Sequence, residues 1–358
     1  MYLKFKDDET VFTQISYDRD KNFFILTSNN GVSLECENCL NLEEEKVDDY
    51  CFYILNSKVF NKENDIYQVF DKEENIRLGW IFPVQALLSD EHDYADNIFF
   101  LRYAYVAIYL LLNSISEENK RNISEAVKIS DFFSEDSIIL VLCVSKCNMI
   151  SNFAIENYVV DLFRYGYSYT PYDYDINRVI QANVRINLRR VSDDIKDKNF
   201  ITEVFQRLLV QTNRLPLAKF HMLYQIVELL IAEIFSYEFS KFIGEMSFDT
   251  NNLFDLKDEL QKMTGERYRV QKLFNTYSQI NGEEEKKNLI ELCNRILKQS
   301  DKKERKEIGE SLYSVRCLIF HDYGSIPVES REIIEEINDF FESIIIELLI
   351  TFNLPCPE

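Results

Sequence analysis

Short runs of partly alternating apolar and polar positions dominate the first part of the chain. These runs are rich in β-branched and aromatic residues, which favours strands over helices. The six runs are MYLKFK, VFTQISY, NFFILTS, CFYILN, DIYQVF and NIRLGWIF. An Asn-Asn-Gly sequence at residues 29–31 and the acidic run NLEEEKVDD separate them as turns and loops. The pattern predicts a small antiparallel sheet or sandwich over residues 1 to about 85.

A mixed region follows. The apolar stretch at residues 97–113 is short for a membrane span and contains Arg102, so it predicts a buried helix. The stretch DSIILVLCVSKCNMI fits either a strand or a buried helix. A tyrosine-rich loop then leads into another candidate strand within RVIQANVRINLRRV. The charged residues 189–198 mark the predicted boundary between two regions, 1–194 and 195–358.

Helical periodicity dominates the second region. Apolar residues recur there with the i, i+3, i+4, i+7 spacing of an amphipathic helix. Two long segments show it: Leu217, Phe220, Tyr224, Val227, Ile231 and Ile234, and then Ile333, Ile337, Phe340, Ile344 and Leu348. Shorter helices are predicted near 252–277 and 284–298, and another from about 302 to 322. The predicted fold class is α+β, with an N-terminal β-rich and then mixed region before a C-terminal all-α bundle.

The charge limits the function classes. A net charge of −21 argues against a general nucleic-acid binder, which needs a basic surface. Residues 195–358 carry 21 basic and 28 acidic side chains, a net of −7, so the acidic excess is mainly N-terminal. A nucleic-acid site in the C-terminal region must therefore be small and local. The start MYLKFKDDET lacks the pattern of a secretory signal, and we expect a cytoplasmic protein that does not enter a membrane.

Eight cysteines are spread along the chain without a regular framework. Without a secretory signal, the expected state is free, buried thiols. Cys36 and Cys39 together with Cys143 and Cys147 would supply four thiolates for zinc, but the second pair lacks the usual spacing and lies in an apolar run. We therefore expect neither a metal site nor a cofactor.

The stretch SLYSVRCLIFHDYGSIP places Arg316 and His321 in an apolar run. Gly324 suits the C′ position and Pro327 cannot continue a helix, so the helix is predicted to end just after the histidine. An i, i+5 spacing puts two side chains roughly 140° apart on a helix. Both still reach one site if the histidine lies in the last turn and the arginine extends along the helix. A helix C-terminus also favours the imidazolium form, which suits proton transfer near neutral pH.

Cleavage of RNA is a reaction for which arginine and histidine suffice. The 2′-hydroxyl is a nucleophile built into the substrate, so the reaction requires neither a metal ion nor a bound water. A base removes its proton, an acid protonates the departing 5′ oxygen, and a cation stabilises the charged phosphorane. Arg316 and His321 make half of such a site, and a homodimer with facing motifs would supply the full set.

The motif and its context resemble the HEPN superfamily. YSVRCLIFHDYG is similar to its Arg-x4-His signature, and LAKFHMLYQIVELLIAE looks like the long first helix of several branches. The resemblance covers residues 195–358 and implies a metal-independent endoribonuclease that acts as a homodimer, with Arg316 and His321 of both subunits lining the cleft. Many such proteins are toxins or effectors of antiphage defence. Cys317 departs from the family, in which Asn or another polar residue often follows the arginine.

Three further features accompany the motif. Tyr323 extends it to His-x-Tyr, and in one branch of HEPN toxins a partner nucleotidyltransferase modifies this tyrosine and silences the toxin; the alternative is an ordinary helix-end tyrosine. Glu228 falls within the long helix, where it either orients Arg316 or His321 or faces solvent. The segment DKKERKE, residues 301–307, either guides RNA phosphates or is a solvated face with ion pairs.

A ribonuclease needs restraint in the cell, so residues 1–194 are predicted to sense or regulate by binding a protein trigger or an antitoxin. The competing class is a catalytically inactive HEPN-fold interaction or regulatory protein. A separate alternative is that both residues are purely structural, in which case Arg316 pairs with a buried carboxylate and His321 caps the last helical turn.

Overall fold

The computed structural model describes residues 2–5, 8–58, 62–115, 122–123, 126–170, 184–245 and 253–355. The chain divides into two compact units. The N-terminal unit consists of Met1–Ile155 and Tyr165–Arg189, and the helical unit consists of Glu156–Arg164 and Arg190–Glu358. This division differs from the predicted regions chiefly because residues 156–164 belong to the helical unit. The α+β class is confirmed, with strands in the first unit and a helical bundle in the second.

The described strands of the N-terminal unit form two sheets. Strands β1 to β11 span, in order, Tyr2–Phe5, Asp8–Asp18, Phe23–Ser28, Ser33–Glu37, Tyr50–Ser57, Tyr67–Asp71, Arg77–Pro83, Asn122–Ile123, Ile138–Cys143, Tyr167–Ser168 and Arg185–Leu188. One sheet has the order β4-β3-β2-β1-β8, and the other has the order β10-β5-β9-β7-β6-β11. The pairs β1–β8 and β6–β11 are parallel, and the other neighbouring strands are antiparallel.

The six predicted strands are all present, but the sheets extend beyond residue 85. The stretch that fitted either a strand or a helix contains both, because β9 is followed at once by the short helix α2, Val144–Cys147. β9 lies between β5 and β7, and five of its six residues are buried. It shows no alternation because both of its faces are covered. The tyrosine-rich loop, which spans residues 171–183, lies outside the described residues.

The core of the N-terminal unit is built around helix α1, Ile98–Ser114, which contacts strands of both sheets. The ring of Phe100 lies 5.7 Å from that of Trp80 in one sheet, and the ring of Tyr105 lies 5.4 Å from that of Phe24 in the other. The predicted buried helix is confirmed. In the described parts of the chain, none of the helices combines the length and apolar character needed to cross a lipid bilayer.

The helical unit contains nine described α-helices. Helices α3 to α11 span, in order, Val159–Arg164, Asn199–Glu203, Leu209–Thr212, Pro216–Glu245, Leu253–Thr264, Glu266–Asn275, Glu283–Gln299, Ile308–His321 and Ile333–Thr351. A π-helical turn, Val204–Leu208, joins α4 to α5. Five helices close a ring of contacts, in which α6 packs on α11, α11 on α9, α9 on α10, α10 on α8, and α8 on α6.

The apolar stripes of this unit pack as their spacing predicts, with two exceptions. Leu217, at the start of α6, is 39% exposed, and Phe340 of α11 is only partly buried, whereas Phe341 beside it is fully buried. Gly309 allows α10 to approach α8 closely, because a Cβ there would lie 3.2 Å from the Phe274 ring and 3.3 Å from the carbonyl oxygen of Val270.

Helix α3 is tied to α11 by charged side chains. Asp161 is fully buried and pairs at 2.7 Å with Arg164, which also lies 3.3 Å from Glu347 of α11. A buried carboxylate is costly unless it is paired, so this network makes residues 156–164 an integral part of the helical unit.

Candidate functional site

The last two turns of α10 bring Arg316 and His321 together. The arginine Nη1 lies 3.4 Å from the histidine Nε2. For the guanidinium to donate this hydrogen bond, the imidazole must be neutral with its proton on Nδ1. His321 is exposed and Arg316 is partly buried, so the pair lies at the boundary between the bundle and solvent.

The helix ends in a different way from the one predicted. Asp322 leaves the helical conformation with a φ of −144°, and a single 3-10 turn, Tyr323–Ser325, follows. Gly324 lies inside this turn and does not have the positive φ of a C′ glycine, so that prediction is wrong. The side chain of Asp322 accepts a hydrogen bond from Lys302 Nζ at 2.7 Å, which lowers the pKa of the carboxyl group.

Two carboxylates from other helices hold Arg316. Its Nη2 donates to Glu228 Oε1 on α6 at 3.2 Å, and its Nε lies 3.9 Å from Glu266 Oε1 at the start of α8. Gln225 Nε2 donates to the other Glu228 oxygen at 2.8 Å and fixes that carboxylate. Burial lowers the pKa of Arg316, but the charge of Glu266 and the hydrogen bond to Glu228 outweigh it, and the pKa is raised.

Two aromatic rings flank the guanidinium. Arg316 Cζ lies 5.6 Å from the Tyr224 ring and 5.5 Å from the Phe320 ring, within the range of cation–π contacts. The Tyr224 hydroxyl donates to Glu266 Oε1 at 3.3 Å. Burial and the charge of Glu266 raise the pKa of Tyr224, so the phenol stays a donor at neutral pH. The rings and carboxylates together fix the plane of the guanidinium.

The guanidinium of Arg316 keeps donors for a ligand. An arginine has five N–H groups. One on Nη1 is directed to His321 and one on Nη2 to Glu228. The second N–H of each Nη has no hydrogen-bond partner within the described residues. Donors therefore remain on both Nη atoms, and arginine binds phosphate through donors of this kind.

A pocket of about 390 Å³ opens beside His321. Basic side chains dominate its charged lining: Arg267, Lys302, Lys303 and Arg305, with Asp322 as the acidic member. Tyr313 and Cys317 of α10 line the same pocket. The pocket is cationic although the chain carries a net charge of −21, so its composition differs from that of the chain as a whole.

The basic segment 301–307 shows features of both predicted roles. Its residues form ion pairs, such as Lys302–Asp322 at 2.7 Å and Lys298–Glu304 at 3.7 Å. Three of its basic side chains also line the pocket.

Tyr323 lies in the turn after α10. Its ring is partly buried, and the guanidinium carbon of Arg331 lies 4.6 Å from its centroid. The other two histidines have different surroundings. His221 of α6 packs its ring 5.2 Å from that of Phe320. His92 is buried in the N-terminal unit, where its Nε2 donates to the carbonyl oxygen of Ala86 at 3.0 Å.

Comparison of the chain with models of protein families, with curated proteins and with solved structures gives no match. The resemblance to the HEPN superfamily therefore stays a prediction from residues 195–358. The cysteines of the described residues are free thiols, and no group of three or more His, Cys, Asp or Glu side chains in that part of the chain is arranged to hold a metal ion.

The structure thus brings together Arg316, His321 and Glu228, whereas Tyr323 packs against Arg331. Sequence reasoning missed Glu266, which has no local signal because it follows Gly265 at the start of a short helix. It also missed Arg267 beside it. The helical spacing of Tyr224 correctly predicts a core residue but does not indicate that its hydroxyl reaches a carboxylate.

Proposed function

We propose that the chain is a metal-independent endoribonuclease of the HEPN type, with Arg316 and His321 as its catalytic residues and a site completed by homodimerisation. One observation carries the proposal. Arg316 Nη1 lies 3.4 Å from His321 Nε2 at an exposed helix end, while Glu228 holds the same guanidinium at 3.2 Å. These distances support the proposal, because a cation and a proton-transfer group at this separation can both reach one phosphodiester.

The chemistry needs only these groups and the RNA. When RNA binds, the Nε2 lone pair of a neutral His321 turns from Arg316 to the 2′-hydroxyl and removes its proton, the 2′ oxygen forms a bond to phosphorus, and the bond from phosphorus to the 5′ oxygen breaks. A protonated His321 of the second subunit gives its proton to the departing 5′ oxygen. The products are a 2′,3′-cyclic phosphate and a 5′-hydroxyl.

Arg316 stabilises the phosphorane. Its two unengaged Nη N–H groups bind the non-bridging oxygens, whose negative charge grows as the 2′ oxygen adds. Glu228, Glu266 and the flanking rings keep the guanidinium in one plane, so little side-chain entropy is lost when the phosphate binds.

Exposed apolar side chains next to the site support the homodimer. Phe320, which precedes His321, is 42% exposed, and Leu217 on α6 is 39% exposed. His221 connects them, since it contacts the Phe320 ring and lies one helical turn after Leu217. Burial of this surface against a second copy would place two His321 side chains near each other. A strict monomer in solution would contradict this part of the proposal.

The biological role follows from the same resemblance. A ribonuclease of this type suits a toxin or an antiphage-defence effector in the cytoplasm. Residues 1–194 would then sense a trigger or bind an antitoxin, and their net charge of −14 suits a protein partner rather than RNA.

One observation favours the alternative, a catalytically inactive interaction or regulatory protein of the same fold. Arg316 is surrounded by both Glu228 and Glu266, so these three side chains carry a net charge of −1. An arginine neutralised in this way also fits a purely structural role.

Cleavage of total RNA in EDTA tests the proposal. We expect the wild type to produce 2′,3′-cyclic phosphate ends, and His321→Ala and Arg316→Ala to lower the rate by about 100- to 10,000-fold, the range for a lost acid–base group or phosphate cation. Arg295→Ala is the matched control, because Arg295 is a partly exposed arginine of the same unit, paired with Glu336. It should leave the rate unchanged.

Cleavage that persists in both site variants would contradict the proposal. If the purified proteins show no cleavage, expression in cells decides between the two classes. Growth arrest caused by the wild type and not by His321→Ala would support an enzyme that needs activation, and equal growth would support the inactive interaction protein.

A further inference from the structure

The cationic pocket beside His321 is larger than the catalytic chemistry requires. The chemistry uses the helix end and the Arg316 guanidinium, whereas the pocket extends from His321 to Lys303 and Arg305 in the segment before α10 and to Arg267 on α8. Its volume of about 390 Å³ lies within the usual range of small-molecule sites.

The basic segment is held in place before any ligand binds. The backbone N–H of Arg305 donates to Asn294 Oδ1 at 2.7 Å, and its carbonyl oxygen accepts from Asn294 Nδ2 at 2.8 Å. Its Nε donates to Ser314 Oγ at 3.1 Å. The backbone N–H of Lys302 donates to the carbonyl oxygen of Leu297 at 2.8 Å. These bonds link the segment to α9 and α10.

Not all of the positive charge is neutralised. Lys302 pairs with Asp322, and Arg267 pairs with Glu310. Lys303 forms no ion pair with any described residue, and Arg305 uses its side chain on a neutral hydroxyl. Two cations therefore line the pocket without a carboxylate partner in the described chain, and a phosphate group has the charge and the acceptors to bind both.

The remaining lining suits a nucleobase. Tyr313 and Cys317 lie one turn apart on α10, on the same side of the helix as each other and within the same pocket as His321. An aromatic ring beside a cationic groove is the common means by which proteins bind single-stranded nucleic acid, because every base has a face that stacks.

We propose that this pocket binds one nucleotide of the RNA strand, next to the phosphate that is cleaved. Lys303 and Arg305 hold the phosphate of that nucleotide, and its base lies against Tyr313. The adjacent phosphate then lies at His321 and Arg316. The inference rests on the proposed function where it names RNA as the strand. Binding of a nucleotide in the pocket does not itself require cleavage.

Cys317 provides a direct test, because its half-buried thiol lines the pocket. The wild-type protein is treated with iodoacetamide with and without a short single-stranded deoxyoligonucleotide, which has no 2′-hydroxyl and is not cleaved by this chemistry. Modification of each cysteine is followed by peptide mass spectrometry. We expect saturating oligonucleotide to slow the alkylation of Cys317 about tenfold or more. Cys143, equally half-buried in the N-terminal unit, should react at an unchanged rate.

Lys303→Ala and Lys306→Ala form a matched pair for the second measurement. Both are exposed lysines of the same segment, but only Lys303 lines the pocket. Lys303→Ala should weaken binding of the oligonucleotide about tenfold and reduce the slope of log affinity against log salt by about 0.7, the value for one phosphate contact with a single strand. Lys306→Ala should change neither value.

An unchanged Cys317 rate together with an unchanged salt slope in Lys303→Ala would overturn the proposal, even if the enzyme cleaves RNA. Protection by a mononucleotide or by inorganic phosphate that equals protection by the oligonucleotide at the same sub-saturating concentration would overturn the RNA strand as the ligand and favour a free nucleotide or phosphate. Protection by the oligonucleotide in a protein that neither cleaves RNA nor arrests growth on expression would support the pocket and contradict the proposed ribonuclease activity.

Discussion

The N-terminal unit and the helical unit use the same residue type in opposite ways. In the N-terminal unit His92 is buried, its Nε2 donates to a backbone carbonyl, and its ring lies 5.3 Å from that of Phe100. In the helical unit His321 is exposed at a helix end, beside a guanidinium and a cationic pocket. The first histidine has all of its hydrogen-bonding groups satisfied by the fold, and the second has an Nδ1 that is available to a ligand.

This difference shows that the surroundings of a histidine carry more functional information than its presence. The aromatic side chains of the N-terminal core serve packing and provide no charge for binding a ligand. The helical unit instead holds a partly buried guanidinium between two carboxylates, which is costly unless the arrangement has a use. Function is therefore expected to depend on the second unit and stability on both.

The largest expected effect is a loss of stability in Gly79→Ala, for which Gly309→Ala is the comparison. In the N-terminal unit a Cβ on Gly79 would lie 1.9 Å from the carbonyl oxygen of Val141, whereas the nearest atoms to a Cβ on Gly309 in the helical unit would lie at 3.2 Å, in the Phe274 ring, and at 3.3 Å, in the carbonyl group of Val270. Gly79→Ala should destabilise its sheet by about 3 kcal/mol or more, because a backbone atom must move. Gly309→Ala should change stability by about 1 kcal/mol or less, since helix propensity favours Ala and offsets the crowding.

The single tryptophan of the chain makes this measurement selective. Trp80 lies beside Gly79, so urea unfolding followed by tryptophan fluorescence reports on the N-terminal unit, and circular dichroism at 222 nm reports chiefly on the helices. RNA cleavage by Gly79→Ala should persist, because the proposed site lies in the other unit. Loss of cleavage in this variant, with the helical signal intact, would show that catalysis needs both units.

The carboxylate that holds Arg316 gives the next largest effect. Glu228→Ala should lower kcat about tenfold with little change in KM, because the guanidinium loses the bond that positions it and not its contact with RNA. Glu228→Gln keeps an acceptor oxygen for Nη2 and should restore most of kcat. A variant pair with equal rates would contradict a positioning role for Glu228.

The smallest expected effect is a pH dependence of stability. Burial lowers the pKa of His92 below its value in the unfolded chain, which is about 6.5. Below that pH the unfolded chain binds more protons, so the free energy of unfolding should fall as pH falls and level off below the folded pKa. His92→Gln keeps a donor for Ala86 and does not titrate.

Urea unfolding at several pH values, followed through Trp80, measures this effect as the difference between the wild type and His92→Gln. The free energy of unfolding of the wild type, relative to that of His92→Gln, should fall as pH falls. If the stabilities of the wild type and His92→Gln change identically with pH, the lowered pKa of His92 in the folded chain is contradicted.

Local patterns predicted the fold where each element has one covered face. The alternation in Phe23–Ser28 and the helical spacing in Ile333–Thr351 arise from such faces. The central strand Ile138–Cys143 lacks alternation because strands cover both of its edges and its faces are buried. The parallel pairing of Ile186 with Val69 joins residues far apart in the chain, so only tertiary packing determines it.

The candidate site was predictable to the extent that it lies on one helix. The helix stop after His321 predicts that Arg316 and His321 lie near a helix end. The apolar spacing of α6 does not decide whether Glu228 faces Arg316 or solvent. The position of Glu266 depends on the packing of α8 between α6 and α10, for which Gly309 makes room. The pocket depends on the hydrogen bonds between Asn294 and Arg305, which periodicity does not reveal.

The interleaved order of the two units has a consequence for synthesis on the ribosome. Residues 156–164 of the helical unit leave the ribosome before residues 165–189, which complete the N-terminal unit. Helix α3 must then wait for Glu347, near the end of the chain, before the charge network of Asp161 and Arg164 closes. The helical unit therefore stays incomplete until translation is almost finished, so the activity proposed for it would arise only at the end of synthesis.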